Sequence, residues 1–229
     1  MKLALIGYGK MGRMVESAAL ARGHQIVYKV DVEGNEQGQA LTRRNMEGAE
    51  VAVNFSTPES AVLAIDRITA LGVSMVVGTT GWLERLPEVR KMVEARKVGL
   101  VYGSNFSIGV NLFFRLAAAA AAMFHDHPEY DPWIYEIHHR AKLDAPSGTA
   151  LQLEQIVEKS YAGQRVVPSS NRAGANPGMH TLGFDSDADT LTITHAARSR
   201  SGFAQGALHA AEWLRGKQGL YEFSETLPG

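Results

Sequence analysis

The densest chemistry in the 229-residue chain lies in one run, Glu136-Ile137-His138-His139-Arg140-Ala141-Lys142-Leu143-Asp144-Ala145-Pro146-Ser147-Gly148-Thr149. His138, His139, Arg140 and Lys142 put four potential cations into five residues, in a chain whose formal net charge is −1. Such clustering makes either a local anion site or a solvated face. An imidazole titrates near neutral pH and can give or take a proton; an ammonium can hold a carboxylate. Alternation along a strand would put His138 and Arg140 on one side and His139 on the other. Pro146-Ser147-Gly148-Thr149 reads as a helix start, so Ser147, Gly148 and Thr149 would offer unbonded N–H groups to a carboxylate or phosphate. A cationic strand end facing a helix N-terminus suits a small dianion. Adjacent histidines on a strand point apart and zinc needs further convergent ligands, so no metal is expected.

A second constellation stands at the other end of the chain. Gly7-Tyr8-Gly9-Lys10-Met11-Gly12 has the spacing G-x-G-x-x-G. The first glycine makes a tight turn, the second lets backbone approach a pyrophosphate, and the third lets helix and strand pack closely. Asp31 closes the next strand, where a carboxylate can accept hydrogen bonds from an adenosine ribose. Asp31 would repel a 2′-phosphate. Val32-Glu33-Gly34-Asn35-Glu36 supplies no cation to bind one, although Lys29 lies two residues earlier. The expected cofactor is NADH and/or NADPH, with NADH used at least as well. Two further glycine-containing turns, Gly78-Thr79-Thr80-Gly81 and Gly103-Ser104-Asn105-Phe106, follow apolar runs and leave room beyond strand ends, where open parallel sheets bind ligands.

The elements that must position these groups can be read from periodicity and caps. Strands are expected at 3–6, 25–30, 51–55, 73–77 and 100–102, with helices at 11–21, from Ser56-Thr57-Pro58-Glu59 through Ala70, and at 87–96; 33–47 reads as loop. Strands separated by helices of ten to fifteen residues indicate right-handed βαβ units and a parallel sheet. The middle of the chain changes character. An alanine-rich helix (110–124), a strand (133–139), a loop (143–148), a helix (149–161), a polar loop (169–178), a strand pair (180–185 and 190–196) and a helix (203–214) are expected. Strands without intervening helices suggest a second, α+β domain with an open mixed or antiparallel sheet.

Composition excludes several classes. The chain has 0 Cys, so disulfides, thiolate zinc sites, iron–sulfur clusters and cysteine nucleophiles are out. Balanced charge argues against nucleic acid or a membrane surface as partner. The apolar run before Gly7 is too short for a signal-peptide core, and 110–124 is shorter than a bilayer span and interrupted by Asn111 and Arg115, so a cytoplasmic protein is expected.

The stretch EIHHRAKLDAPSGTA, Glu136 to Ala150, resembles the signature of the 4-hydroxy-tetrahydrodipicolinate reductase (dihydrodipicolinate reductase) family of lysine and diaminopimelate biosynthesis. GYGKMG, VNFSTPE (53–59), GTTG (78–81), SNFSIGVN (104–111) and HAARSRSGFAQGALHAAEWL (195–214) agree in order, so the likeness spans essentially the whole chain. It implies an α/β fold: a Rossmann-type domain from both chain ends, 1–104 and 203–229, and a substrate-binding and oligomerisation domain, 105–202. It implies a homotetramer, and reduction of a cyclic dicarboxylate by a nicotinamide cofactor. The resemblance gives the pyrophosphate to Gly7, Tyr8, Gly9, Lys10, Met11 and Gly12, the ribose to Asp31, and the nicotinamide half to Gly78, Thr79, Thr80, Gly103, Ser104, Asn105 and Phe106. His138 and Lys142 would be catalytic, with His139, Gly148 and Thr149 on the substrate carboxylate. Two alternatives stand beside it: a dinucleotide-sensing module without turnover, and another two-domain oxidoreductase acting on a sugar or semialdehyde.

Overall fold

A computed structural model of the chain describes residues 1–31, 33, 35, 37–161 and 164–228. The expectation that no cation follows Asp31 falls partly outside them, at Val32, Gly34 and Glu36. The elements in chain order are β1 (Lys2–Ile6), α1 (Lys10–Ala21), β2 (Gln25–Val30), β3 (Val51–Asn54), α2 (Pro58–Ala70), β4 (Ser74–Val77), α3 (Leu86–Arg96), β5 (Gly99–Tyr102), α4 (Ile108–Phe124), β6 (Asp131–His138), α5 (Gly148–Ser160), β7 (Ser169–Arg172), β8 (Met179–Asp185), β9 (Thr190–Ala196), α6 (Ser201–Trp213) and β10 (Gly219–Glu222). They pack as two units, Met1–Ile108 with Ser201–Gly229, and Gly109–Arg200.

The first unit holds a six-stranded, all-parallel sheet in the order β2-β1-β3-β4-β5-β10. The inner strands β1, β3, β4 and β5 read as largely apolar runs because both faces are covered. Ala4, Ile6, Ala52, Met75, Val77 and Leu100 pack into one core with α2 and α3. Leu3, Leu5, Val51, Val53, Val76 and Val101 pack into the other with α1 and α6. The strand order reverses direction between β1 and β3, and that switch point is where open sheets of this kind take a ligand. β10 lies in what reads as a short tail after the last helix. It is a strand because β5 offers it a parallel partner, Leu220 opposite Leu100.

The second unit holds a four-stranded mixed sheet, β7-β6-β8-β9, with β6 parallel to β7 and antiparallel to β8. Val110, Phe113, Phe114, Ala117 and Ala121 of α4 pack with Leu153 and Val157 of α5 on Ile134, Leu182 and Phe184 of the sheet. Within the alanine run only Ala117 and Ala121, one turn apart, are fully buried. Two expectations need correction here. Ser169 to Arg172 is a strand rather than loop, and β6 stops at His138, so Arg140 does not share a strand face with it. Past His138 the backbone turns, Lys142 N–H donating to the His139 carbonyl at 3.0 Å, and Arg140 is exposed while His138 is buried. No helix among the described residues is long and apolar enough to cross a membrane.

Candidate active site

Alternation along β6 buries Ile134, Glu136 and His138 on one side. Register then brings partners to them from sequence positions far away. Glu136 lies opposite Ser170 on β7 and His180 on β8, and His138 lies opposite Arg172. One oxygen of Glu136, Oε1, accepts from the Ser147 N–H (3.0 Å), the Ser170 hydroxyl (2.8 Å) and Arg172 Nη2 (2.8 Å). The other, Oε2, lies 3.3 Å from His138 Nδ1 and 3.3 Å from His180 Nε2. The two imidazoles meet edge-on, their centroids 5.0 Å apart. Ser147 caps α5 by accepting from the Ala150 N–H, and its hydroxyl also lies 3.1 Å from His180 Nε2.

The capping geometry corrects one expectation. The Ser147 N–H is taken up by Glu136, so it is not open to a ligand. Those of Gly148 and Thr149, in the first turn of α5, precede the first intrahelical bond and remain where an anion is favoured. Lys142 Nζ pairs with both oxygens of Asp144, at 2.7 and 2.9 Å. Arg172 donates to the Asp144 carbonyl, which ties the loop after β6 to β7. His139 is half-buried just beyond the strand.

Electrostatics follow from this packing. Burial alone would raise the Glu136 carboxyl, but the donors from Ser147, Arg172 and Ser170 outweigh it and hold the group at about 2. Burial, with His138 close by, lowers His180 to about 4. Burial also lowers His138; Glu136 opposes that shift, and the Lys142 and Arg172 cations reinforce it. An ionised carboxylate thus sits under two neutral imidazoles, with Arg172 and Lys142 as fixed positive charge.

This arrangement makes the unit acid-sensitive. His180 titrates at its ordinary 6.5 in the unfolded chain and at about 4 when folded, so the unfolded state binds more protons between those values. Stability then falls as pH is lowered from about 6.5 to about 4. Glu136 extends the loss from its ordinary 4.5 toward 2. Each group accounts for at most on the order of 3 kcal/mol. Melting curves from pH 7 to pH 4 should show a falling Tm that His180→Asn makes shallower; an unchanged slope in that variant would contradict the assignment.

Glu136, Arg172, Ser170 and His180 had no assigned role in the sequence. Glu136 stands two residues before His138 on an alternating strand, which is signal enough to put both on one face. Arg172 and Ser170 sit in a polar stretch that resembles a loop, and no local spacing links His180 to them. The donor atoms of Glu136, His138 and His180 all lie within 4.8 Å of one another, a spacing a metal ion would also accept. The Arg172 guanidinium on the same carboxylate opposes a cation there.

In the first unit the glycine loop behaves as its spacing requires. Gly7 has φ +83, and a Cβ on it would lie 2.3 Å from the Phe55 carbonyl oxygen. A Cβ on Gly12 would lie 2.4 Å from the Gly7 carbonyl oxygen, while Gly9 has open space beside it. Gly9 is the N-cap of α1, so Lys10, Met11 and Gly12 start the helix over that space. Asp31, at the end of β2, lines a small recess with Ile6, Ser56 and Ser60. Tyr8 hydrogen-bonds Glu16, and Lys29 Nζ lies 2.9 Å from Glu16 and 3.1 Å from the Tyr8 hydroxyl. At the ends of β4 and β5, Gly78 packs against the Phe55 ring, and Thr79 is buried with its hydroxyl 3.4 Å from Asn54. Thr80 and Ser104 are exposed, and Asn105 Oδ1 accepts from the Ser107 N–H at 2.9 Å. Gly103 meets Phe223, and Phe106 is a core side chain between Phe55 and Phe223, which leaves only its backbone to a ligand.

Residues 1–106 match the family model described as dihydrodipicolinate reductase, N-terminus, and residues 109–227 match its C-terminus counterpart. The chain belongs to the dihydrodipicolinate reductase family. It is 38% identical to the 4-hydroxy-tetrahydrodipicolinate reductase of Christiangramia forsetii, covering 99% of this chain and 98% of that one. It is 34% identical to the enzyme of the same name from Thiobacillus denitrificans, over 99% and 98%. The fold of a dipicolinate-bound dihydrodipicolinate reductase from Paenisporosarcina sp. TG-14 superposes with TM-score 0.83 at 23% identity, over 99% of both chains. The six-stranded parallel sheet and the mixed sheet are therefore the family's architecture, as the resemblance implied.

Proposed function

We propose that the chain reduces 4-hydroxy-tetrahydrodipicolinate, a cyclic dicarboxylate, to tetrahydrodipicolinate and water, in lysine and diaminopimelate biosynthesis. The observation that carries this reading is the buried Glu136–His138–His180 cluster, with half-buried Arg172 on its carboxylate, beside Lys142 and the start of α5, inside a full-length family match. A reduced nicotinamide dinucleotide supplies the hydride when bound. Gly7 to Gly12 would hold its pyrophosphate, Asp31 its adenosine ribose, and the turns at 78–80 and 103–106 its nicotinamide half. The N–H groups of Gly148 and Thr149, with His139, take one substrate carboxylate, and Lys142 leaves Asp144 to hold the other or the ring nitrogen.

Loss of the hydroxyl as water leaves a conjugated ring imine. Hydride addition pushes its electrons to nitrogen, and the resulting enamine takes a proton at the neighbouring carbon. His138 gives that proton. Its imidazole is neutral in the ligand-free site, and a dianion arriving beside it favours the charged form, so substrate binding itself loads the acid. Lys142 stabilises the developing charge and shares proton delivery.

Cofactor choice follows from charge. Asp31 opposes a 2′-phosphate, and the Lys29 ammonium is held by Glu16 and Tyr8 rather than turned to Asp31. Lys10 and Arg13 are exposed at the start of α1, Arg13 over the Tyr8 ring at 5.0 Å. NADH should therefore give a kcat/KM at least equal to that of NADPH. A tenfold NADPH preference, about 1.4 kcal/mol, would contradict this reading of Lys29 and Asp31.

The homotetramer and the cytoplasmic setting belong to the same proposal. The assembly is supported by apolar side chains left exposed in the second unit, Leu112 and Leu116 on α4 and Leu191 on the edge strand β9. Loss of reduced-nicotinamide absorbance on adding the dicarboxylate tests the reaction. A sensing module would bind the dinucleotide without consuming it, and another oxidoreductase would need a sugar or semialdehyde.

A further inference from the structure

We infer that Glu136 is the positioning residue of this site, fixing His138 as the tautomer with its proton on Nδ1 so that Nε2 is the atom that exchanges a proton with substrate. The inference rests on the reading of His138 as the acid and adds which nitrogen acts and what selects it.

Three observations carry it. Glu136 is 0% exposed, and its Oε1 is saturated by Ser147, Ser170 and Arg172, so the carboxylate cannot rotate to serve other donors. Its Oε2 lies 3.3 Å from each of two ring nitrogens, His138 Nδ1 and His180 Nε2. A lone pair on His138 Nδ1 would face an ionised carboxylate oxygen, so the charge on Glu136 favours a proton on that nitrogen. A proton on Nδ1 leaves the lone pair on Nε2.

Second, the two nitrogens of His138 differ in access: Nδ1 is fully buried without another partner, and Nε2 is not. Third, the chain opposite is kept bare there. Gly178, just before β8, has φ +142, and a Cβ on it would lie 2.9 Å from His138 Nε2. A side chain at 178 would press on the nitrogen that must meet the substrate.

The groups facing the imidazole are Glu136 on its own strand, Arg172 from β7, His180 from β8, and Lys142 and Asp144 from the loop after β6. Glu136 is the member that favours the imidazolium most, ahead of Asp144, against both cations. Its removal should therefore shift the alkaline limb of kcat/KM, where the acid loses its proton, to lower pH.

The test is nitrogen NMR of protein labelled in its histidines, paired with kinetics. In the wild-type protein His138 should show a protonated Nδ1 and an unprotonated Nε2 near pH 7.5. In Glu136→Gln the tautomers should mix, kcat should fall roughly 10- to 100-fold, the range carried by a histidine's outer partner, and the alkaline limb should drop by about one pH unit. Glu136→Asp should recover part of both. A merely structural staple between β7, β6 and β8 would change Tm without moving tautomer or pH limb, and that outcome overturns the inference. A wild-type His138 protonated on Nε2 overturns it too, and needs no variant that folds. If the tautomer is as stated but His138→Gln keeps full kcat, the acid reading beneath it has failed instead.

Discussion

His138→Gln is expected to lower kcat by at least about 10², with the dinucleotide's Kd close to wild type, because a positioned general acid typically contributes about 10²–10⁴. Lys142→Ala is expected to cost as much. The reason lies in the balance of charges. Hydride addition builds negative charge on the ring nitrogen and demands a proton one carbon away. In the proposed reaction His138 supplies that proton only while Glu136 and the bound dianion offset Arg172 and Lys142. Glutamine keeps much of the imidazole's volume beside Gly178 but has no proton to give at neutral pH. The double variant should lose less than the product of the single losses, since residues acting as a unit are not additive. Steady-state kcat with dinucleotide titrations on each variant reads all of this. A His138→Gln protein with near-wild-type kcat across the pH range would pass the acid role to Lys142 or to a water.

The largest effect on folding is expected at Gly206. A glycine inside a helix ordinarily gains up to about 1 kcal/mol on replacement by alanine. Here α6 lies so close to the chain after β5 that a Cβ at 206 would fall 1.7 Å from the Phe106 carbonyl oxygen, with its carbonyl carbon at 2.8 Å. The obstacle is backbone, which no rotamer change relieves. Gly206→Ala should therefore lose on the order of 3 kcal/mol or more, the upper end for overpacking, and about 10 °C in Tm. Phe106 ends the turn at 103–106 proposed to hold the nicotinamide half, so dinucleotide affinity should fall with stability. Thermal melts and fluorescence titration with NADH measure the two effects. A Gly206→Ala protein as stable as wild type would mean that α6 and the Phe106 carbonyl leave room for a Cβ.

What was legible in the sequence divides by the range of the physics involved. The glycine loop was readable because its determinants, a turn, an approach and a close packing, lie within six residues. The parallel sheet was readable because strands covered on both faces are continuous apolar runs. β7 was not, since Ser169-Ser170-Asn171-Arg172 has no apolar face. It is a strand because β6 pairs with it and Glu136 takes hydrogen bonds from Ser170 and Arg172. β10 was missed for the same reason, its partner β5 lying far back in the chain. The His-His-Arg-x-Lys run drew attention to the right segment and to the wrong arginine. Arg140 turns out to solvent once β6 ends, and the guanidinium that joins the site is Arg172, set by register rather than by spacing. His180 likewise reaches Glu136 only because β6 and β8 are antiparallel in the register that faces 136 with 180.

In the proposed reaction hydride passes from a reduced nicotinamide to the cyclic dicarboxylate and His138 completes the step. The most direct measurement is mass spectrometry of the product after turnover with NADH carrying deuterium at the transferred position. One deuterium should appear in tetrahydrodipicolinate for each dinucleotide oxidised, and incorporation should slow by at least about 10² in His138→Gln. Dinucleotide oxidation without deuterium in the dicarboxylate, or labelling at the same rate in the variant, would contradict the account.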